Sequence, residues 1–138
     1  MKLKIERHWA MPSHKTFTIA PLKKLISEEL GENYMDPFPH PFKQDAVKYL
    51  KNIPANSIDH LVFDPPYSSY QLKTKYENAG LSLDNKYNAS YWSNCKKEIG
   101  RIVKEGGKVI SFGWNSNGIG KKYGFKIYKI VLIAHGSY

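Results

Sequence analysis

An acid, two prolines and a tyrosine stand in a row at Asp64-Pro65-Pro66-Tyr67. They follow an apolar run in which Ile58, Leu61, Val62 and Phe63 read as a buried strand, and the prolines end that pattern. The carboxyl end of a core strand is where open α/β sheets place their ligands. The chemistry these residues offer is recognition of an exocyclic amine. The Asp64 carboxylate and the Pro65 carbonyl are two acceptors, and Tyr67 is a flat face on which the same base could stack. Two prolines fix the backbone, so the acceptors are positioned before a substrate arrives.

The block is wider than four residues. Gln44 to Asp59, followed by the strand and the Asp-Pro-Pro-Tyr motif, resembles the acid, short helix, turn and strand that precede this motif in the S-adenosylmethionine-dependent amino-methyltransferases. That family methylates N6 of adenine or N4 of cytosine in DNA. Two further stretches are similar to small phage-type adenine methylases: Arg7-His8-Trp9-Ala10-Met11-Pro12 with Phe17-Thr18-Ile19, and Val109 to Gly120. The resemblance implies a Rossmann-like methyltransferase fold, with Asp64, Pro65, Pro66 and Tyr67 catalytic. It favours adenine N6 as the target, because Asp in the first motif position is commoner in adenine enzymes. The base would be flipped out of the duplex, since its amine is otherwise paired.

The same resemblance implies a site for S-adenosylmethionine. Asp36-Pro37-Phe38 is similar to the opening of the donor-binding motif, Asp45 would be the acid near the donor's adenine, and Met11 and Phe112 would be further contacts. Tyr70, Lys73, Trp114, Asn115 and Lys121 would meet DNA. The sequence departs from the family after Phe38, where Pro39, His40, Pro41 and Phe42 replace the usual glycines. The segment up to Asp45 is also too short for a second strand carrying the ribose-binding acid. Either part of the cofactor site has been lost, or a stretch between Phe38 and Asp45 is missing from the sequence.

Elements must hold these residues in place. The spacing predicts a helix over Ala20 to Leu30, with Pro21 in its first turn and Gly31 after it. It predicts a short strand from Asn33 to Met35 and a short helix from Asp45 to Asn52. Ser68 to Asn88, polar and rich in Tyr and Lys, predicts a mobile loop over the site. Ser90 to Lys104 predicts an amphipathic helix with Tyr91, Cys95, Ile99, Ile102 and Val103 inward, ended by Gly106-Gly107. Lys108 to Phe112 and Phe125 to Ala134 predict strands, and Trp9 to Phe17 a loop. Strands alternating with helices indicate an α/β fold with a mostly parallel sheet, part of it absent.

The 138 residues are long enough for one methyltransferase-like domain with its own core. A formal charge of +9 and a 14% aromatic content favour a polyanion with stackable bases. The interleaved Lys121-Lys122-Tyr123-Gly124-Phe125-Lys126 suits such a partner, and equally a solvated lysine face. The single cysteine, Cys95, excludes an internal disulfide and reads as core. No histidine has metal-ligand spacing. Met1 to Ala10 carries no signal-peptide pattern, so a cytoplasmic protein is expected; the family resemblance implies that its host is a bacterium or a phage-infected cell. Three readings follow: an active DNA adenine methyltransferase; a methyltransferase-like module that binds nucleic acid or a partner without the cofactor; or a methyltransferase acting on cytosine N4, RNA or protein. Target recognition would come from the Ser68 to Asn88 loop, from a homodimer or from a partner protein.

Overall fold

A computed structural model describes residues 2–10, 19–39, 44–66, 68–81, 90–113 and 116–134. The elements run β1 (Lys4–Trp9), α1 (Ala20–Glu29), α2 (Ala46–Lys51), β2 (Ile58–Phe63), α3 (Ser69–Asn78), α4 (Ser90–Ile102), β3 (Val103–Ser111), a 3-10 turn at Lys121–Tyr123, and β4 (Lys129–Ala134). They fall into two compact units: Met1–Asn33 with Lys126–Tyr138, and Tyr34–Phe125. Both two-stranded sheets are parallel. The architecture is mixed α/β, consistent with part of a Rossmann-like methyltransferase fold. Among the described residues no helix is long and apolar enough to cross a membrane.

The larger unit is built on β2, whose last three residues, Leu61, Val62 and Phe63, are at most 1% exposed. β2 pairs with β3 from His60↔Lys108 to Phe63↔Ser111, after an irregularity that follows Ile58↔Val103. Gly107 makes that irregularity possible, because a Cβ there would meet the Val103 side chain at 2.7 Å and the Asp59 carbonyl at 2.9 Å. On the other side of β2, Met35 forms a parallel bridge with Leu61. Asn56, at φ 52°, makes the turn that leads into β2.

Three helices close the core. α2 begins at Asp45, whose carboxylate accepts from the amides of Val47 (3.0 Å) and Lys48 (3.3 Å). α3 begins at Ser68, whose hydroxyl accepts from the Gln71 amide at 3.2 Å. α4 buries Tyr91, Cys95, Ile99 and Ile102 along one stripe.

The structure corrects several sequence expectations. The stretch from Ser68 is not loop throughout: Ser69–Asn78 is helical, with Leu72 and Tyr76 fully buried, and residues 82–88 of it lie outside the described residues. Leu72, Tyr76 and Ala79 have helical spacing, and that apolar stripe outweighs the polar composition around it. α4 stops at Ile102 and the chain turns to strand at Val103, before the two glycines. The last strand begins at Lys129 rather than Phe125. Lys4–Trp9 is a strand that the charged sequence concealed.

In the smaller unit, β1 and β4 pair over six residues, Lys4↔Lys129 to Trp9↔Ala134. Lys129 Nζ meets the Glu6 carboxylate at 2.7 Å, which holds that carboxyl below its usual range and raises the lysine. Tyr128 donates its hydroxyl to Glu29 of α1.

Candidate active site

Three parallel segments end together in the larger unit. The Met35 bridge to Leu61 sets Asp36 beside the end of β2, where Asp64 follows Phe63. On the other flank the Phe112 amide donates to the Phe63 carbonyl at 2.9 Å, carrying the pairing one residue past β3. Asp36, Asp64-Pro65-Pro66 and Phe112 therefore share one edge of the sheet, the carboxyl end. Pro65 and Pro66 are buried and Asp64 is half-buried.

Trp92, in the first turn of α4, donates its indole Nε1 proton to the Pro66 carbonyl at 2.9 Å. This fixes the rigid dipeptide from the helix side. No spacing in the sequence marks Trp92 for this role, since its partner lies 26 residues away.

The two carboxylates feel one another. Asp36 is pushed up to about 6, first by burial and then by the charge of Asp64; the Phe38 amide, donating at 2.9 Å, and the Lys75 ammonium oppose the rise. Lys75 on α3 is half-buried, and its charge acts on this edge of the sheet.

Phe38 turns into the core, with its ring centroid 6.0 Å from Phe63 and 6.5 Å from Tyr91. Asp45 is buried. Besides capping α2, its Oδ1 accepts from the Tyr76 hydroxyl at 3.2 Å. Tyr76 in turn is 2.6 Å from the Tyr91 hydroxyl and accepts from the Ala46 amide at 3.1 Å. Burial raises both phenols, so they stay protonated and serve as hydrogen-bonding groups within the core. Cys95, beneath them, is pushed up to about 12 by burial and is a core thiol.

The remaining candidates are dispersed. Tyr70 and Lys73 lie on the outside of α3, and Lys73 faces Glu77 at 3.9 Å. Lys121 is exposed in the 3-10 turn. That turn packs on Gly100, near the end of α4, whereas Trp92 and Pro66 meet at its start. Met11, Tyr67, Trp114 and Asn115 lie outside the described residues, as do His40 to Lys43.

Over 95 residues the chain is 35% identical to "Type II methyltransferase M.HpaI" of Haemophilus parainfluenzae. The likeness is to a methyltransferase. The match takes in 68% of this chain and 27% of that methyltransferase, so the chain spans little more than a quarter of its relative. No family model matches the chain, and no solved structure does. The similarity supports a relationship to methyltransferases in general and leaves the target base to the chemistry of the site.

Proposed function

We propose that this chain acts in the transfer of a methyl group from S-adenosylmethionine to the N6 amine of adenine in DNA, with residues 1–138 read as one methyltransferase-like domain. The observation that carries the reading is Asp64-Pro65-Pro66 at the carboxyl end of β2, with Asp36 and Phe112 on either side. The methyltransferase likeness supports it.

In this reading the target base leaves the duplex and stacks on Tyr67. The Asp64 carboxylate and the Pro65 carbonyl accept its two amine hydrogens. That draws the nitrogen lone pair out of conjugation and aims it away from the strand end. Trp92 keeps Pro66 in place, so the acceptors need no reorganisation when the base enters. The work of these residues is orientation and electrostatics. S-Adenosylmethionine, when bound, supplies an activated methyl group at its sulfonium. Asp36 and Phe112 fit a place beside it. Asp45 fits less well, since its Oδ1 already serves the α2 amides and Tyr76.

That commitment of Asp45, with the proline-rich sequence after Phe38, favours a second reading, in which the domain binds nucleic acid or a partner without the cofactor. Calorimetry with S-adenosylmethionine separates the two. Micromolar binding, followed by labelled-methyl transfer to DNA, supports the enzyme; absence of binding supports the module. Within the first reading, Asp64→Ala abolishes transfer while the thermal unfolding midpoint stays near the parent's, because Asp64 lies past the strand and outside the core. A variant that still methylates adenine would remove the mechanism.

A further inference from the structure

A different surface lies on the outward side of α2 and α4. The buried stripe of α4 runs through Tyr91, Cys95, Ile99 and Ile102, and at about 100° per residue Lys97 falls on the opposite side. On one flank Arg101 reaches α2, donating from Nη2 to the carbonyls of Leu50 (3.0 Å) and Lys51 (3.4 Å). Its Nε holds Glu98 at 2.9 Å, so that acid is neutralised within the helix. On the other flank the missing side chain of Gly100 admits Tyr123: a Cβ there would stand 2.9 Å from the Tyr123 carbonyl oxygen. The end of α2, the second half of α4 and the 3-10 turn are thus fastened side by side.

These three elements expose Lys48, Lys51, Lys97, Lys121 and Lys122. Lys122 sits 5.7 Å from the Tyr123 ring centroid. The face is set apart from the Asp64 end, because Trp92 and Gly100 are eight residues apart, about 12 Å of helix rise.

We infer that this face is a second nucleic-acid surface, which takes the phosphate backbone of duplex DNA away from the sheet edge that carries Asp64. Ammonium groups on α4 and on the two elements fastened to its flanks can meet successive phosphates together, and each contact releases condensed counterions. The inference does not depend on methyl transfer: a chain without transferase activity would still carry the face.

The test is fluorescence anisotropy of the full chain with a short labelled DNA duplex across a sodium chloride series. One variant carries Lys48→Gln, Lys51→Gln, Lys97→Gln, Lys121→Gln and Lys122→Gln. A charge-matched comparator carries five Lys→Gln changes at exposed positions of the other unit, Lys2, Lys4, Lys23, Lys24 and Lys126. The first variant is expected to bind at least about tenfold more weakly than the comparator, with a log–log salt slope shallower by about 3. Equal weakening of the two would mean that net charge alone acts, and would overturn the inference. So would an unchanged slope, or an unaltered chain that does not bind the duplex. Unfolding midpoints are taken for every variant; if the fivefold change unfolds the protein, Lys97→Gln with Lys121→Gln and Lys122→Gln is used, with a slope shallower by about 2.

Discussion

Asp36 and Asp64 end adjacent parallel segments, and their proximity makes it costly to ionise both. Burial raises Asp36 to about 6, and the charge of Asp64 adds a smaller part to the rise. The folded chain then binds a proton at Asp36 between its unfolded value near 3.8 and about 6, where the unfolded chain does not. Stability from this group is therefore gained as pH falls through that window and lost as pH rises through about 6. Asp36→Asn should remove this dependence, so that melting temperatures at pH 5 and pH 7 differ less than in the parent. An unchanged pH difference would place the titration elsewhere. Deeper in, Tyr76 is the hub of a buried polar network joining α2, α3 and α4. Tyr76→Phe leaves the Ala46 amide and the Tyr91 hydroxyl short of a partner and should cost about 1–3 kcal/mol in urea unfolding. A loss well under that range would show the network to be replaceable by water.

At the scale of elements, what could be read from the chain followed how local the deciding contact was. The strand at Ile58–Phe63, the short helix that follows Asp45 and the stripe of α4 are written in adjacent residues, and all three are observed. α3 was hidden because Leu72, Tyr76 and Ala79 are diluted by lysines and glutamate, and their burial depends on α4 residues far along the chain. β1 was hidden because its register is set by β4, more than a hundred residues later, and five of its six residues are exposed. At the candidate site, Asp64 was legible from its motif, whereas Trp92 and Lys75 act through contacts that only the fold creates. α3 can be tested directly. Leu72→Ala deletes a fully buried side chain and should destabilise the chain by about 2–5 kcal/mol, a cost that a surface loop would not show. Gly100→Ala tests the seam between α4 and the 3-10 turn. Its Cβ would sit 2.9 Å from a backbone oxygen that no rotamer can move, so a lowered unfolding midpoint is expected.

Across the whole molecule the two sheets are unequal. β2 has a segment on each side, Met35 bridging one and β3 pairing the other, and its last three residues are shut off from solvent. β1 has β4 alone among the described residues, while Ile5 is 58% and Trp9 67% exposed. Backbone hydrogen bonds protected by apolar packing open only with a large part of the structure, whereas bonds beside exposed side chains open locally. Native-state hydrogen exchange should therefore rank the chain in a definite order. Amides of Leu61, Val62, Ile99 and Ile102 should exchange slowest, close to the rate of global unfolding. Amides of Ile5 to Trp9 should exchange faster by orders of magnitude and respond little to denaturant. Leu72→Ala should speed the first group and leave the second nearly untouched, because Leu72 belongs to the core of the larger unit. If the β1 amides instead matched those of β2, the smaller unit would be opening only with the larger one, and the division into two units would not describe how the chain unfolds.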